Sequence, residues 1–289
     1  MIYNLGSINA DYIYRVPHLP APGETLAATS MTRGLGGKGA NQSVAARLAG
    51  AQVTHIGSVG SDGGWASEAM ASFDVDCAHV TAVDAPTGHA IINVDPVGEN
   101  AIVIYPGANK KQSLNHLETA IGAASSSDIL LLQNETSHQV EAAQLAHEKG
   151  LLVIYSAAPF SAKSVQEVMQ FVDLLVMNAV ESEQLSTALG VSLSQLEVPK
   201  LLITKGAAGA DWIEAGDTLH VPAFPVTPVD TTGAGDCFIG YLAAGVDQGM
   251  RPDGAMRLAA AASAIQVQRH GTADAIPTRV EVDAFLADR

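Results

Sequence analysis

Short, uninterrupted apolar runs recur along this chain and alternate with stretches of helical period. Val53–Val59, Ile129–Gln133, Leu151–Tyr155, Leu174–Met177 and Leu201–Thr204 are too short for helices and lack the polar alternation of a half-wet strand. Such runs read as strands buried on both faces. Between them lie Asn41–Ala49, Glu141–Lys149, Ala162–Val172 and Glu181–Leu189, which read as helices. The repetition predicts an α/β fold, a doubly wound, mostly parallel sheet with helices on both faces. In such a fold ligands bind along the carboxyl edge of the sheet.

Two regions break the pattern. Residues 87–105 read as a hairpin, Thr87–Val94 and Glu99–Tyr105 flanking the turn Asp95-Pro96-Val97-Gly98. Residues 10–32 read as further strands, with Pro17, Pro20 and Pro22 between them. Neither region brings a helix to cover it, so together they predict a small β-sheet standing off a single domain of residues 1–289. That sheet is either a lid or a plain edge extension.

Hydrophobic residues make up 47 % of the 289 positions and charged residues 16 %, which supports a sizeable core and excludes a disordered chain. No apolar run reaches the roughly 18 residues of a membrane span. No basic segment leads into a cleavage site, so the expectation is a cytoplasmic enzyme with no membrane partner. The formal net charge of −15 argues against nucleic acid as a partner. If phosphates bind, the positive field must be local, from helix N-termini, a few lysines and a metal ion. Cys77 and Cys237 fit no ligand spacing and read as reduced packing residues; the nine histidines form no metal-binding pattern. Lys110-Lys111 reads as a solvated turn.

The most informative stretch is Asp230-Thr231-Thr232-Gly233-Ala234-Gly235-Asp236, followed at helical spacing by Phe238, Tyr241, Leu242 and Gly245. Thr231 or Thr232 is expected to cap that helix, and the glycines leave its first N–H groups open as an anion cradle. Asp236 inside the cradle has two readings. One is an acid complementing the helix dipole. The other is a base that takes a hydroxyl proton as a phosphoryl group moves to that oxygen.

A second loop, Gly34-Leu35-Gly36-Gly37-Lys38-Gly39-Ala40-Asn41-Gln42, also precedes a helix. It is neither a P-loop nor a dinucleotide fingerprint, since both spacings fail. It offers exposed backbone, the Lys38 cation and the Asn41 amide, donors that suit a polyhydroxyl ligand. A merely flexible glycine loop is the plain alternative.

These residues resemble the ribokinase-like sugar kinases of the PfkB family over nearly the whole chain. The matching runs are, in order, Gly6-Ser7-Ile8-Asn9-Ala10-Asp11, Gly36 to Gln42, Asn178-x-x-Glu181, Thr204-Lys205-Gly206 and Asp230 to Asp236. The resemblance implies transfer of the ATP γ-phosphoryl group to a sugar hydroxyl, D-ribose first, with a nucleoside, fructose or another furanose as alternatives. Asp236 would be the base, and Gly233, Ala234 and Gly235 would complete the anion hole. Asn9, Asp11, Gly37, Lys38, Asn41 and Glu135 would bind the sugar, with Asp11 accepting from two hydroxyls. Asn178, Thr204, Lys205, Gly206, Gly209 and Gly235 would line the nucleotide. Glu181 would place Mg²⁺ through water, and Asp230 and Thr232, with backbone groups of Gln266, Arg269 and Gly271, would hold K⁺.

The resemblance also implies that the small sheet is a lid carrying Asp11 and that lids pair in a homodimer. The sequence departs from the family at Ala275, where a serine is usual, at Ala260, where a larger polar residue often flanks adenine, and in a short segment from Leu189 to Leu201. A sugar sensor on an inactive kinase is disfavoured because Asp236, Glu181, Lys38 and Asp11 are all present. A nicotinamide dehydrogenase is disfavoured by the missing fingerprint.

Overall fold

The computed structural model describes residues 1–289. The chain opens with β1 (Ile2–Leu5), β2 (Asn9–Arg15), β3 (Ser30–Gly36) and α1 (Lys38–Leu48), then β4 (Val53–Val59), α2 (Gly64–Ser72) and β5 (Asp76–Ala82). The hairpin β6 (Gly88–Val94) and β7 (Asn100–Tyr105) follows, then α3 (Leu114–Gly122), β8 (Ile129–Gln133), α4 (Gln139–Lys149) and β9 (Leu152–Ser156). Next come α5 (Ala162–Val168), β10 (Leu174–Asn178), α6 (Ala179–Leu189), β11 (Lys200–Thr204), β12 (Ala210–Glu214) and β13 (Asp217–Val221). The chain ends with α7 (Ala234–Asp247), α8 (Pro252–Gln266) and α9 (Arg279–Ala287).

Nine strands form the main sheet, in the order β13-β12-β11-β10-β9-β8-β1-β4-β5. All its pairings are parallel except β11 with β12 and β12 with β13. The apolar runs are buried on both faces because each strand feeds two cores. Ile2 of β1 and Ile129 and Leu131 of β8 join α1, α7 and α8 on one side. Tyr3 and Leu5, with Leu130 and Leu132, join α3 and α4 on the other. The doubly wound expectation therefore holds. It passed over the β12–β13 hairpin, an edge element turning through Ala215 (φ 52°) and Gly216 (φ 87°), the left-handed pair of a tight two-residue hairpin loop. The helix expected to run to Val172 stops at Val168, continued by a 3₁₀ turn at Met169–Phe171. The segment after Leu189 holds only a short 3₁₀ turn, Leu193–Gln195.

A second sheet of four strands, in the order β3-β2-β6-β7, stands apart from the first. Strand β2 pairs antiparallel with β3 and parallel with β6, and β6 pairs antiparallel with β7. It joins the body through the continuation of β1 into β2, and through Asn109. The Asn109 side chain is buried, accepts from the Ile8 N–H at 2.9 Å and donates to Asn9 Oδ1 at 2.8 Å.

In the main sheet the order reverses at β1, which lies between β4 and β8. The carboxyl ends of the parallel strands there form a crevice, the usual ligand position of a doubly wound sheet.

Candidate active site

The crevice collects most of the residues that the sequence singled out. From the end of β1 the chain passes through Ser7 to Asn9 and Asp11 on β2. From the end of β8 it reaches Glu135. Asn178 closes β10 and pairs in register with Thr204 at the end of β11. Two helices then point their N-termini at the same space, α1 starting at Lys38 and α7 at Ala234.

The glycine–lysine loop and the Asp236 loop, distant in sequence, meet directly. Asp236 is buried, and its Oδ1 accepts from Gln42 Nε2 at 2.9 Å and its Oδ2 from Asn41 Nδ2 at 3.3 Å. Asn41 Oδ1 is also buried and takes no donor from the protein, which leaves it as an acceptor for a hydroxyl. Glu135 accepts from the Ser7 hydroxyl and from the Lys38 backbone N–H. Asp11 lies against Gly36, where any Cβ would overlap its carboxylate, so β3 must carry glycine for Asp11 to sit there.

Charge in the crevice is dense. Burial, with Glu135 and Asp236 nearby, pushes the Asp11 carboxyl up to about 7. Asp236, then Glu135 and Glu181, hold the Lys38 ammonium above its ordinary value against the effect of burial. Lys38 is thus ringed by acids and remains charged, the local cation that the net charge of −15 called for.

The start of α7 differs from the expected capping. Neither Thr231 nor Thr232 caps it; the cap is Gly233 at φ 75°, with no side-chain hydrogen bond to the first turn. A hydroxyl cap would occupy the first-turn N–H groups, whereas here the N–H groups of Gly235 and Asp236 take no acceptor within the chain. Open N–H groups on a helix dipole bind oxyanions.

Asn178 and Glu181 form a reciprocal capping box on α6, Glu181 N–H to Asn178 Oδ1 at 2.8 Å and Asn178 N–H to Glu181 Oε2 at 2.7 Å. The pair thus serves as a helix start, and the charge of Glu181 still reaches Lys38. One carboxylate at the rim, with no cluster of acids or histidines around it, fits a cation that keeps most of its own waters, as Mg²⁺ does.

Behind Gly233, Asp230 accepts from the N–H groups of Thr232 at 2.9 Å and Gly271 at 3.2 Å. Burial would raise its pKa, but these backbone donors outweigh it and hold the carboxyl below its ordinary value. Gln266 donates weakly to the Thr232 carbonyl at 3.4 Å, and its buried Oε1 has no donor. An ionised carboxylate, carbonyls and an unpaired amide oxygen form an oxygen-only set that fits a monovalent cation. The Arg269 side chain bonds Glu281 at 2.6 Å and the Ala275 carbonyl at 3.4 Å, contacts that leave the part expected of its backbone untouched.

Thr204, Lys205, Gly206 and Gly209 lie at the β11–β12 connection, where the Lys205 ammonium is committed to Asp211, itself paired with His220 at 2.7 Å. Ala260 is buried in α8. Cys77 and Cys237 are free, and burial pushes both thiols up, Cys77 to about 11. Lys110 is not simply solvated, since its ammonium donates to the Thr136 carbonyl at 3.0 Å beside Glu135.

Four site residues escaped the sequence reading: Ser7, Gln42, Gln133 and Asn109. Ser7 and Gln42 stand inside the quoted motifs without a role. Gln133 is a polar residue ending an apolar strand, a usable signal. Asn109 carries none, because its contacts are about a hundred residues away in the chain.

An anion cradle and a buried base facing a polyhydroxyl-type loop, on a doubly wound sheet with a small second sheet, define a phosphotransferase acting on an alcohol. Comparison with known proteins narrows this. Residues 1–279 match the pfkB family of carbohydrate kinases, and the chain belongs to that family. It is 37 % identical over 300 residues to the ribokinase of Haemophilus influenzae, covering 98 % of this chain and 97 % of that one. It is 33 % identical over 292 residues to the ribokinase of Lactococcus lactis, covering 98 % and 96 %. The structure of Arabidopsis thaliana ribokinase complexed with ribose and ATP superposes with a TM-score of 0.87 at 30 % identity, over 99 % of this chain and 98 % of that one.

Proposed function

We propose that this kinase transfers the γ-phosphoryl group of ATP to D-ribose, giving ribose 5-phosphate, with Asp236 as the base. The observation that carries the reading is the direct bonding of Asp236 to Asn41 and Gln42, which puts the base of one loop beside Asn41 of the other, whose buried Oδ1 is left to accept from a hydroxyl. The likeness to ribokinases, one of them solved with ribose and ATP, supports ribose as acceptor.

In this reading Asp11, Asn9, Lys38, Asn41 and Glu135 surround the sugar, and Lys38 offsets the negative charge that their carboxylates would otherwise present. Asp236 takes the acceptor proton as the new phosphorus–oxygen bond forms. The open N–H groups of Gly235 and Asp236 receive the charge that develops on the transferring group. Thr204 to Gly209 line the nucleotide, with Asn178 at its phosphate end. Glu181 would hold hydrated Mg²⁺, and Asp230 and Thr232, with backbone groups of Gln266, Arg269 and Gly271, would hold K⁺. Bound there, the two cations supply positive charge against the ATP phosphates and beneath the anion hole.

The small sheet carries Asp11 and acts as a lid that sheds water from the site. Its edge strand β7 exposes Ile102, Val103, Ile104 and Tyr105, and β3 exposes Met31, an apolar surface suited to pairing with a second copy. No helix is long and apolar enough to cross a membrane. An ATP-consuming enzyme with two free cysteines fits the cytoplasm.

Asp236→Asn tests the central assignment. Turnover should fall by at least about 10²-fold while ribose and ATP still bind by calorimetry; near-normal turnover would remove Asp236 from the mechanism. A panel of ribose, fructose, adenosine and inosine tests the acceptor, and nucleoside turnover well above ribose would overturn that choice.

A further inference from the structure

The space behind Asp236, away from the crevice, is filled by a network of buried amides. Gln42 Oε1 accepts from Gln133 Nε2 at 2.8 Å, and the same Gln133 nitrogen donates to Asn4 Oδ1 at 2.8 Å. Asn4 Nδ2 donates to the Gly39 carbonyl and to Ser43 Oγ, both at 2.8 Å. Ser43 Oγ lies 2.8 Å from His55 Nδ1, and His55 Nε2 lies 3.1 Å from the Gly6 carbonyl. Asn4, Gln42, Ser43, His55 and Gln133 are all fully buried.

The network has one consistent direction, and Asp236 sets it. A carboxylate accepts only, so Gln42 must turn its NH₂ group toward Asp236 and its oxygen toward Gln133. Gln133 must then present its own NH₂ group to both Gln42 and Asn4, which leaves its Oε1 buried without a donor. Reversing Gln133 would set oxygen against oxygen at both contacts. The unpaired acceptor persists because the orientation that would relieve it breaks two other bonds. At the far end, burial lowers His55 to about 4, so it stays neutral and donates to Gly6.

We propose that Gln42 is a positioning residue for the base: clamped by Gln133, it presents only N–H to Asp236, holds the carboxylate aimed at the acceptor hydroxyl, and seals its inner side against proton exchange. The inference rests on Asp236 being the base. The proton that Asp236 takes, as the sugar oxygen bonds to phosphorus and the bond to ADP breaks, therefore leaves on the product side. No member of the amide chain can carry it inward.

The other ionisable groups facing Asp236 are Asp11 on β2, Lys38 on α1 and Glu135 after β8, with Glu181 farther out and the thiol of Cys237 adjacent in sequence. The pH profile is therefore read on kcat at saturating sugar and ATP, which removes the effect of Asp11 on sugar affinity. Gln42→Glu places a second acid of the same size against Asp236. Its acid limb should move up by about one pH unit or more, the scale of two carboxyls sharing a site. Gln133→Met frees Gln42 to rotate and should lower kcat at least about fivefold, with sugar KM within about threefold, as expected when only transition-state alignment is lost. In the unaltered protein, the side-chain NH₂ resonances of Gln42 and Gln133 should titrate with the acid limb and stop doing so in Asp236→Asn.

If Asp236→Asn is inactive but both glutamine variants keep the parent kcat and acid limb, the positioning role is wrong and the base stands. The same holds if the amide resonances ignore the limb. If Asp236→Asn stays active, the base assignment itself fails.

Discussion

Asp11 and Asp236 are carboxylates a short distance apart that the protein treats differently. Asp236 receives two amide donors, whereas burial beside two other acids raises Asp11 to about 7. If Asp11 accepts from two sugar hydroxyls, it must be ionised to do so. Ribose affinity should then weaken as pH falls below about 7, checked by calorimetry between pH 8 and 5.5. The linkage to stability has the opposite sense. A raised pKa means that the folded state binds the proton more tightly than the unfolded chain. The stabilisation is complete below the unfolded value near 3.8 and is lost as pH rises through about 7. Asp11→Asn should therefore raise the Tm of the sugar-free protein at pH 8, raise it less or not at all at pH 5, and abolish tight ribose binding. An equal Tm change at both pH values would show that Asp11 is not the titrating group.

At the scale of elements, three helix starts use two chemistries. Helix α6 has a full capping box, α9 repeats it with Thr278 and Glu281, and α7 has only Gly233. Helix α1 likewise starts at a glycine without a side-chain cap, and these two glycine starts are the ones that point at the crevice. A capping side chain at α7 would compete with phosphate oxygens, so in the proposed reading local stability is given up where the anion binds. Asn178→Ala should cost about 1 kcal/mol of stability, the usual loss for such a cap. It should also raise the KM for ATP more than that for sugar, since Asn178 sits beside Thr204, at the end of the crevice proposed for the nucleotide. Denaturant melts and paired KM measurements separate the two effects, and a change confined to stability would limit the pair to its capping role.

At the scale of the molecule, the lid sheet leaves an apolar edge in water. Ile102, Val103, Ile104 and Tyr105 are each about half exposed or more, on a strand with a free side. Long exposed apolar edges invite pairing, and a second copy of the same lid is the most economical cover. Light scattering at micromolar concentration should give a dimer. Val103→Lys with Ile104→Lys should give a monomer with the parent's circular dichroism spectrum, because neither side chain packs in a core. A monomeric parent protein would remove the dimer from the reading.

The chemistry-bearing segments and the fold class were legible without coordinates, because local rules write them into the chain. Continuous apolar runs mark buried parallel strands, and glycines with an acid before an apolar helical spacing mark an open helix start. The edge hairpin β12–β13 was not legible in that way, since its short alternating strands carry a weaker pattern than the central runs. The capping of α7 was misjudged for a related reason: a threonine before a helix has the local chemistry of a cap, and only the need for free N–H groups in the crevice overrides it. That Asp236 is bonded to Asn41 and Gln42, that Gln133 stands behind them and that Asn109 ties the lid to the body were decided by tertiary structure alone. Those contacts join residues roughly a hundred to two hundred positions apart. Local sequence fixes what a segment can do, while the order of strands in the sheet decides which segments meet.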